Sequence, residues 1–194
     1  VDGDNSFTLS GSTAVAWSDS ADFILLRLDQ VPPPSFRPYY SGWDATKTRP
    51  FNSHILHHPK ADVKKVSYDK DKCDSVNYNA RLYANGFWRV SNWEIGTTEA
   101  GSSGGALFSQ NQRIVGTLTG GSASCDKPEA DYFSRFDYQY DRSKNIQKQL
   151  KHWLNPNNVS ATSIDGFDPY SNSDLLCSVR TNFRVFDQPQ TYAT

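Results

Sequence analysis

Short apolar runs broken by polar turns set the pattern of this chain, and the runs are too brief for helices. Ala14-Val15-Ala16-Trp17 and Phe23-Ile24-Leu25-Leu26-Arg27-Leu28, flanked by Ser and Asp, predict two strands joined by a turn over Ser18 to Ala21. Val31-Pro32-Pro33-Pro34 cannot extend a ladder, because proline donates no N–H, and three prolines favour an extended polyproline path. Residues 31–38 therefore read as a connector between residues 1–30 and a second unit, 39–154. In that unit strand-like segments recur around Tyr39 to Trp43, His54 to His58, Val63 to Tyr68, Tyr78 to Ala84, Phe87 to Trp93, Ala106 to Ser109 and Arg113 to Leu118. This rhythm predicts an all-β sandwich or barrel.

Asn85-Gly86 between Tyr78–Tyr83 and Phe87–Val90 predicts a hairpin with a two-residue turn, since that turn needs positive φ at both central positions. One helix is expected: after Ser143, Ile146, Leu150, Trp153 and Leu154 form a single apolar stripe, and Asn155-Pro156 stops it. Asn, Ser, Asp and Pro dominate residues 155–194, which read as a wrapping tail or linker, with a glycosylation sequon at Asn158-Val159-Ser160.

Composition narrows the possible functions. Twenty Lys plus Arg against 21 Asp plus Glu leave a formal charge of −1 on 194 residues, so there is no field for a polyanion, and nucleic acid is not an expected partner. No run approaches the roughly 18 apolar residues of a membrane span. The chain starts at Val1 and contains no Met, which predicts processing or excision from something longer. Cys73, Cys125 and Cys177 lack C-x-x-C spacing, so metal or thioredoxin-type roles find little support. A metal reading of His54, His57 and His58 lacks a carboxylate or thiol at matching spacing, and no cofactor is expected.

The candidate chemistry centres on Ala100-Gly101-Ser102-Ser103-Gly104-Gly105-Ala106, a serine bracketed by glycines between two strand-like segments. A nucleophilic serine needs a tight turn whose backbone N–H groups converge on a developing oxyanion, and residues without Cβ permit that turn. Asp22, heading the run Phe23–Leu28, is placed to orient a histidine that takes the serine proton.

Together these motifs resemble the chymotrypsin-like serine peptidases, whose triad runs His, Asp, Ser, and within them the bacterial lysyl endopeptidases. Ser20–Leu28 is similar to that family's aspartate strand, Ser41-Gly42-Trp43-Asp44 to its G-W-D segment, and His57-His58-Pro59 with Lys64-Lys65-Val66-Ser67 to its H-H-P stretch, which there is not the catalytic histidine. Gly101–Gly104 resembles the nucleophile loop, Leu118-Thr119-Gly120-Gly121 the substrate-binding edge, and Trp153–Pro156 with Ile164-Asp165-Gly166 the ending.

The resemblance implies the second Greek-key barrel of a double-barrel fold, with the closing strands of the first barrel. It implies Ser103 as nucleophile, Asp22 as orienting acid, the N–H groups of Gly101 and Ser103 as oxyanion donors, and Thr119 and Gly120 as substrate-binding residues. Asp131 would floor the primary specificity pocket and select Lys or Arg. Thr119 stands where lysyl endopeptidases carry histidine, and Ser102 replaces the acid with which many chymotrypsin-like zymogens capture a new amino terminus. Cys125 would pair with a cysteine upstream of this chain, leaving Cys73 and Cys177 to pair or stay free.

The base is the missing part. All four histidines, His54, His57, His58 and His152, follow Asp22, whereas the family order puts the base before it. His57 or His58 acting in another chain order is disfavoured, because H-H-P already has a counterpart without that role. The expectation is therefore a secreted or periplasmic serine endopeptidase acting on polypeptides, inactive as this chain alone, whose base lies in a missing N-terminal segment. The rival is a peptidase-like binding or adhesion module without chemistry, motivated by the same absent histidine.

Overall fold

The computed structural model describes residues 6–79, 82–127, 129–154 and 160–171. The sequon, Cys177 and the tail beyond Ser171 lie outside the described residues. The protein is mostly β. Strands β1 (Ser12–Ser18) and β2 (Phe23–Leu28) form a separate antiparallel hairpin with a bulge between Ala14 and Ala16. Pro33 takes the expected polyproline backbone, but the segment then tightens into a 3-10 turn over Pro34–Phe36 instead of running on extended.

The remaining strands are β3 (Gly42–Asp44), β4 (Ser53–His57), β5 (Lys65–Asp69), β6 (Asp74–Val76), β7 (Phe87–Val90), β8 (Ala106–Ser109), β9 (Arg113–Gly121), β10 (Asp131–Arg135) and β11 (Ser163–Ile164). Their main path runs β5-β4-β8-β9-β10-β7-β6, with β3 parallel to β9 and β11 antiparallel to β3. Among the described residues the path is an open ladder, with β5 and β6 at its ends, in keeping with the all-β class that the strand rhythm predicts. Ile55, Trp88, Val90, Leu107, Phe133 and Leu118 fill its interior. Burying each such side chain contributes about 1.5–3 kcal/mol.

Two sequence expectations need correction. The Asn85-Gly86 hairpin does not form, because β7 pairs with Asp74–Val76 and none of the described residues between Tyr78 and Ala84 lies in a strand. Asn85 takes positive φ but Gly86 does not, and Gly86 N–H bonds the Tyr83 carbonyl at 3.0 Å. The turn instead serves Arg135. That guanidinium pairs with Asp137 at 2.9 Å, lies 4.1 Å from the Trp88 ring and donates to the Asn85 carbonyl, while the Arg135 N–H donates to Gly86.

The single helix over 146–154 is also broken. A 3-10 turn (Ile146–Lys148) and a short α2 (Lys151–Leu154) flank Gln149, which is extended because the next N–H, that of Leu150, bonds the Gln139 carbonyl at 3.0 Å. Of the stripe, Leu150 is buried while Ile146 and Trp153 are exposed. Gln139 belongs to an unforeseen helix α1 (Phe136–Asp141), whose Phe and Tyr residues favour strands by propensity.

A second cluster joins the hairpin to this sheet. Trp43, Phe136, Tyr140 and Leu150 pack with Phe23 and Leu25. The outward residues of β2, Ile24, Leu26 and Leu28, remain exposed.

At the β5 edge, buried Asp69 accepts from the Asp71 N–H and faces the Glu94 carboxylate, which is held by Lys70. Burial raises the Asp69 carboxyl from 3.8 to about 6. A raised acid is destabilising once ionised, so its penalty is absent below pH 3.8 and complete above about 6. Asp69→Asn should therefore gain on the parent chain between pH 4 and 7, by on the order of 2 kcal/mol in denaturant titrations at the two pH values.

Candidate active site

The Ser103 loop follows from two glycines with left-handed φ, Gly101 at +95° and Gly104 at +81°. The Ser102 N–H bonds the Glu99 carbonyl at 3.0 Å and the Gly105 N–H bonds the Ser102 carbonyl at 3.0 Å. Gly104 and Gly105 are also zipped to Leu118 of β9, by Gly104 N–H to its carbonyl at 2.8 Å and Leu118 N–H to the Gly105 carbonyl at 2.9 Å. Among the described residues the N–H groups of Gly101 and Ser103 have no acceptor. Ser103 itself is exposed.

Asp22 immediately precedes β2 and has a left-handed backbone, φ +45°. The turn before it is fixed by polar contacts of the buried Ala21. Its N–H bonds Ser18 Oγ at 3.2 Å, and its carbonyl accepts from Ser134 Oγ at 2.5 Å and from Gln139 Nε2. Gln139 Nε2 also reaches Thr117 Oγ1 at 2.7 Å on β9. The result is a cavity of about 510 Å³ lined by Asp22, Phe23, Ser103, Gly104, Thr117 and Thr119. The two residues named from separate motifs, 81 positions apart by number, share one cavity wall.

Asp131 opens β10 and is 1% exposed. Its Oδ2 accepts from Trp93 Nε1 at 2.7 Å and Thr98 Oγ1 at 2.5 Å, and Thr98 lies five positions before Ser103. Oδ1 has no donor among the described residues, and Gly121 leaves it room: a Cβ there would collide with Oδ1 and come within 2.6 Å of the Ala130 carbonyl. Burial raises the carboxyl above its ordinary range against the pull of the two donors. On the neighbouring strand Thr119 Oγ1 is buried with no partner among the described residues, and a Cβ on Gly120 would lie 3.0 Å from the Tyr78 hydroxyl.

The histidines serve other contacts. His57 Nδ1 bonds Ser102 Oγ at 2.8 Å and its Nε2 bonds Ser67 Oγ at 3.0 Å, so both nitrogens are engaged and neither bonds Ser103. His54 stacks on Phe108, His58 bonds the Asp62 carbonyl, and His152 is exposed. Burial, with His58 adding repulsion, lowers the His57 pKa. Cys73 is buried, its thiol pushed up to about 12 by desolvation, whereas Cys125 is exposed; neither is in a disulfide among the described residues. Donor atoms gather within 4.8 Å at Asp69, Asp71 and Glu94, a group already engaged by Lys70.

A sequence model described as "Lysyl endopeptidase, C-terminal domain" matches residues 1–134. The chain belongs to this family. It is 32% identical over 141 residues to a lysyl endopeptidase of Pseudomonas aeruginosa, an alignment covering 68% of this chain and 29% of that protein. The chain thus spans less than a third of that relative's length. Solved structures of the Rv3671c protease of M. tuberculosis are also similar. The active form gives a TM-score of 0.45 at 18% identity over 72% of this chain and 57% of that one; an inactive form gives 0.44 at 18% over 72% and 65%.

Sequence reasoning missed the partners that hold these groups: Ser67, Thr98, Trp93 and Gln139. One signal was available. In Ser53-His54-Ile55-Leu56-His57 the inward positions of a strand are 53, 55 and 57, which puts His57 on the buried face, where a polar ring requires partners. Gln139→Leu should test the anchoring of the Asp22 turn. It removes a donor from Thr117, and thermal unfolding should record a loss of about 1–3 kcal/mol.

Proposed function

We propose that this chain carries the nucleophile, the orienting acid and the specificity pocket of an exported serine endopeptidase that cleaves polypeptides after lysine or arginine. Membership of the lysyl endopeptidase family supports the reaction class. The observation that carries the residue assignment is the single cavity lined by both Asp22 and Ser103. In this reading Ser103 Oγ attacks the scissile carbonyl and the N–H groups of Gly101 and Ser103 receive the oxyanion. Asp22 orients an imidazole and stabilises its charged form. That imidazole passes the proton to the leaving amine, and water then releases the acyl group.

The imidazole comes from a part of the protein outside these 194 residues, because His57 is committed to Ser102 and Ser67. The exposed face of Ile24, Leu26 and Leu28 on the hairpin that delivers Asp22 offers that part an apolar surface. Asp131 selects the cation: Oδ2 is tied to Trp93 and Thr98, Oδ1 is left for a substrate ammonium or guanidinium, and the incoming charge offsets the cost of ionising the buried acid.

A fluorophosphonate should label the full-length protein at Ser103, Ser103→Ala should abolish the adduct, and the 194-residue chain alone should label slower by a factor on the order of 10⁶. An unlabelled full-length protein would refute the peptidase assignment and favour a binding module. In the same protein Asp131→Asn should cut kcat/KM on lysine esters by roughly 10²-fold or more while Ser103 remains reactive to the small phosphonate.

A further inference from the structure

We propose that His57 is a positioning residue for the nucleophile, acting on Ser103 through the buried hydroxyl of Ser102; this rests on the peptidase reading above. Ser102, His57 and Ser67 are all buried, at 2%, 3% and 0% exposure, and form a continuous chain from β5 through β4 to the residue before Ser103. Ser102 Oγ also accepts from the Glu99 N–H at 3.3 Å, closing the loop on itself. A neutral imidazole has one donor and one acceptor, so one serine receives its N–H and the other gives up its O–H; both ring nitrogens are then used without a buried charge.

The rest of the same segment clasps the loop independently. The Lys60 N–H bonds the Ala100 carbonyl at 2.7 Å, and Lys60 Nζ meets the Glu99 carboxylate at 2.8 Å. Lys60 and Ala61 both sit at positive φ, +52° and +57°, a conformation that non-glycine residues hold only when surroundings impose it. A Cβ on Gly101 would lie 3.2–3.4 Å from the His58 carbonyl and the Lys60 and Ala61 nitrogens, so the two backbones are in direct contact at the residue that supplies an oxyanion N–H. The segment from His57 to Ala61 thus sets the height of the loop, and His57 is its one side-chain bond to the loop's buried residue.

The test uses full-length protein, with fluorophosphonate labelling and lysine-ester kinetics as readouts and near-UV circular dichroism as the folding control. His57→Leu should lower kcat and the labelling rate by about 10-fold or more with KM within about twofold, since the defect lies in orientation and not in binding. His57→Asn, whose amide stands at the level of Nδ1, should recover most of the loss. Ser102→Ala should reproduce the His57→Leu defect, and combining the two should add little. The variant His152→Gln, at an exposed histidine outside this segment, should label at the parental rate. If His57→Leu does not fold, Ser102→Ala with the His57→Asn comparison carries the same decision. Folded His57→Leu or Ser102→Ala protein labelling at the parental rate would overturn the positioning role alone; failure of the parent to label would instead remove the peptidase reading beneath it.

Discussion

The backbone carbonyl of Ala21 is the contact on which the arrangement turns. Among the described residues the β1–β2 hairpin shares no ladder with the larger sheet, so the place of Asp22 rests on contacts of the turn, which include the Tyr83 N–H donating to the Ser20 carbonyl at 3.1 Å. Packing of Phe23 and Leu25 against Trp43 and Phe136 supplies most of the adhesion but little direction, because hydrophobic burial is not directional. Direction comes from the Ala21 carbonyl, held by Ser134 of β10 and Gln139 of α1. Gln139 is 1% exposed and bonds Thr117 on the strand that walls the cavity, so one buried amide couples the hairpin to β9. Both polar ends of that coupling would be costly to leave unmet inside the protein.

Helix α1 is what makes this possible. It follows β10 directly, and its buried face presents Gln139 toward the hairpin turn and Phe136 and Tyr140 toward Trp43. The last carbonyl region of the helix then captures the Leu150 N–H, which pulls the chain out of helical geometry at Gln149. The broken C-terminal helix and the placement of Asp22 thus have one origin.

The same element explains how far the sequence could be read. Strands with clear apolar runs, β1, β2 and β8, and the glycine-bracketed turn at Ser103 were legible because local periodicity and φ requirements determine them. Asp22 was legible as the head of a strand. By contrast α1 is built from aromatics whose propensity points to strand, and β6 and β10 are three and five residues long without clean alternation. The Asn85-Gly86 signal was overridden by Arg135, a contact 50 positions away that no local pattern announces. Partners such as His57 with Ser102, 45 apart, and Trp93 with Asp131, 38 apart, follow only from topology.

The two buried polar centres at Asp131 and Ser102 solve opposite problems. At Asp131 one carboxylate oxygen has two donors and the other none among the described residues, and Gly121 packs against that second oxygen without a side chain. In the proposed reading a substrate cation completes that pairing. At Ser102 the logic reverses: a hydroxyl replaces a carboxylate, a neutral ring satisfies it, and the ring is satisfied in turn by Ser67. No charge needs compensation there, so the loop can be held rigid without importing a counter-ion. In the proposed reading substrate completes the pairing of the one acid, whereas the uncharged chain at Ser102 holds a part that keeps its shape whether or not substrate is bound.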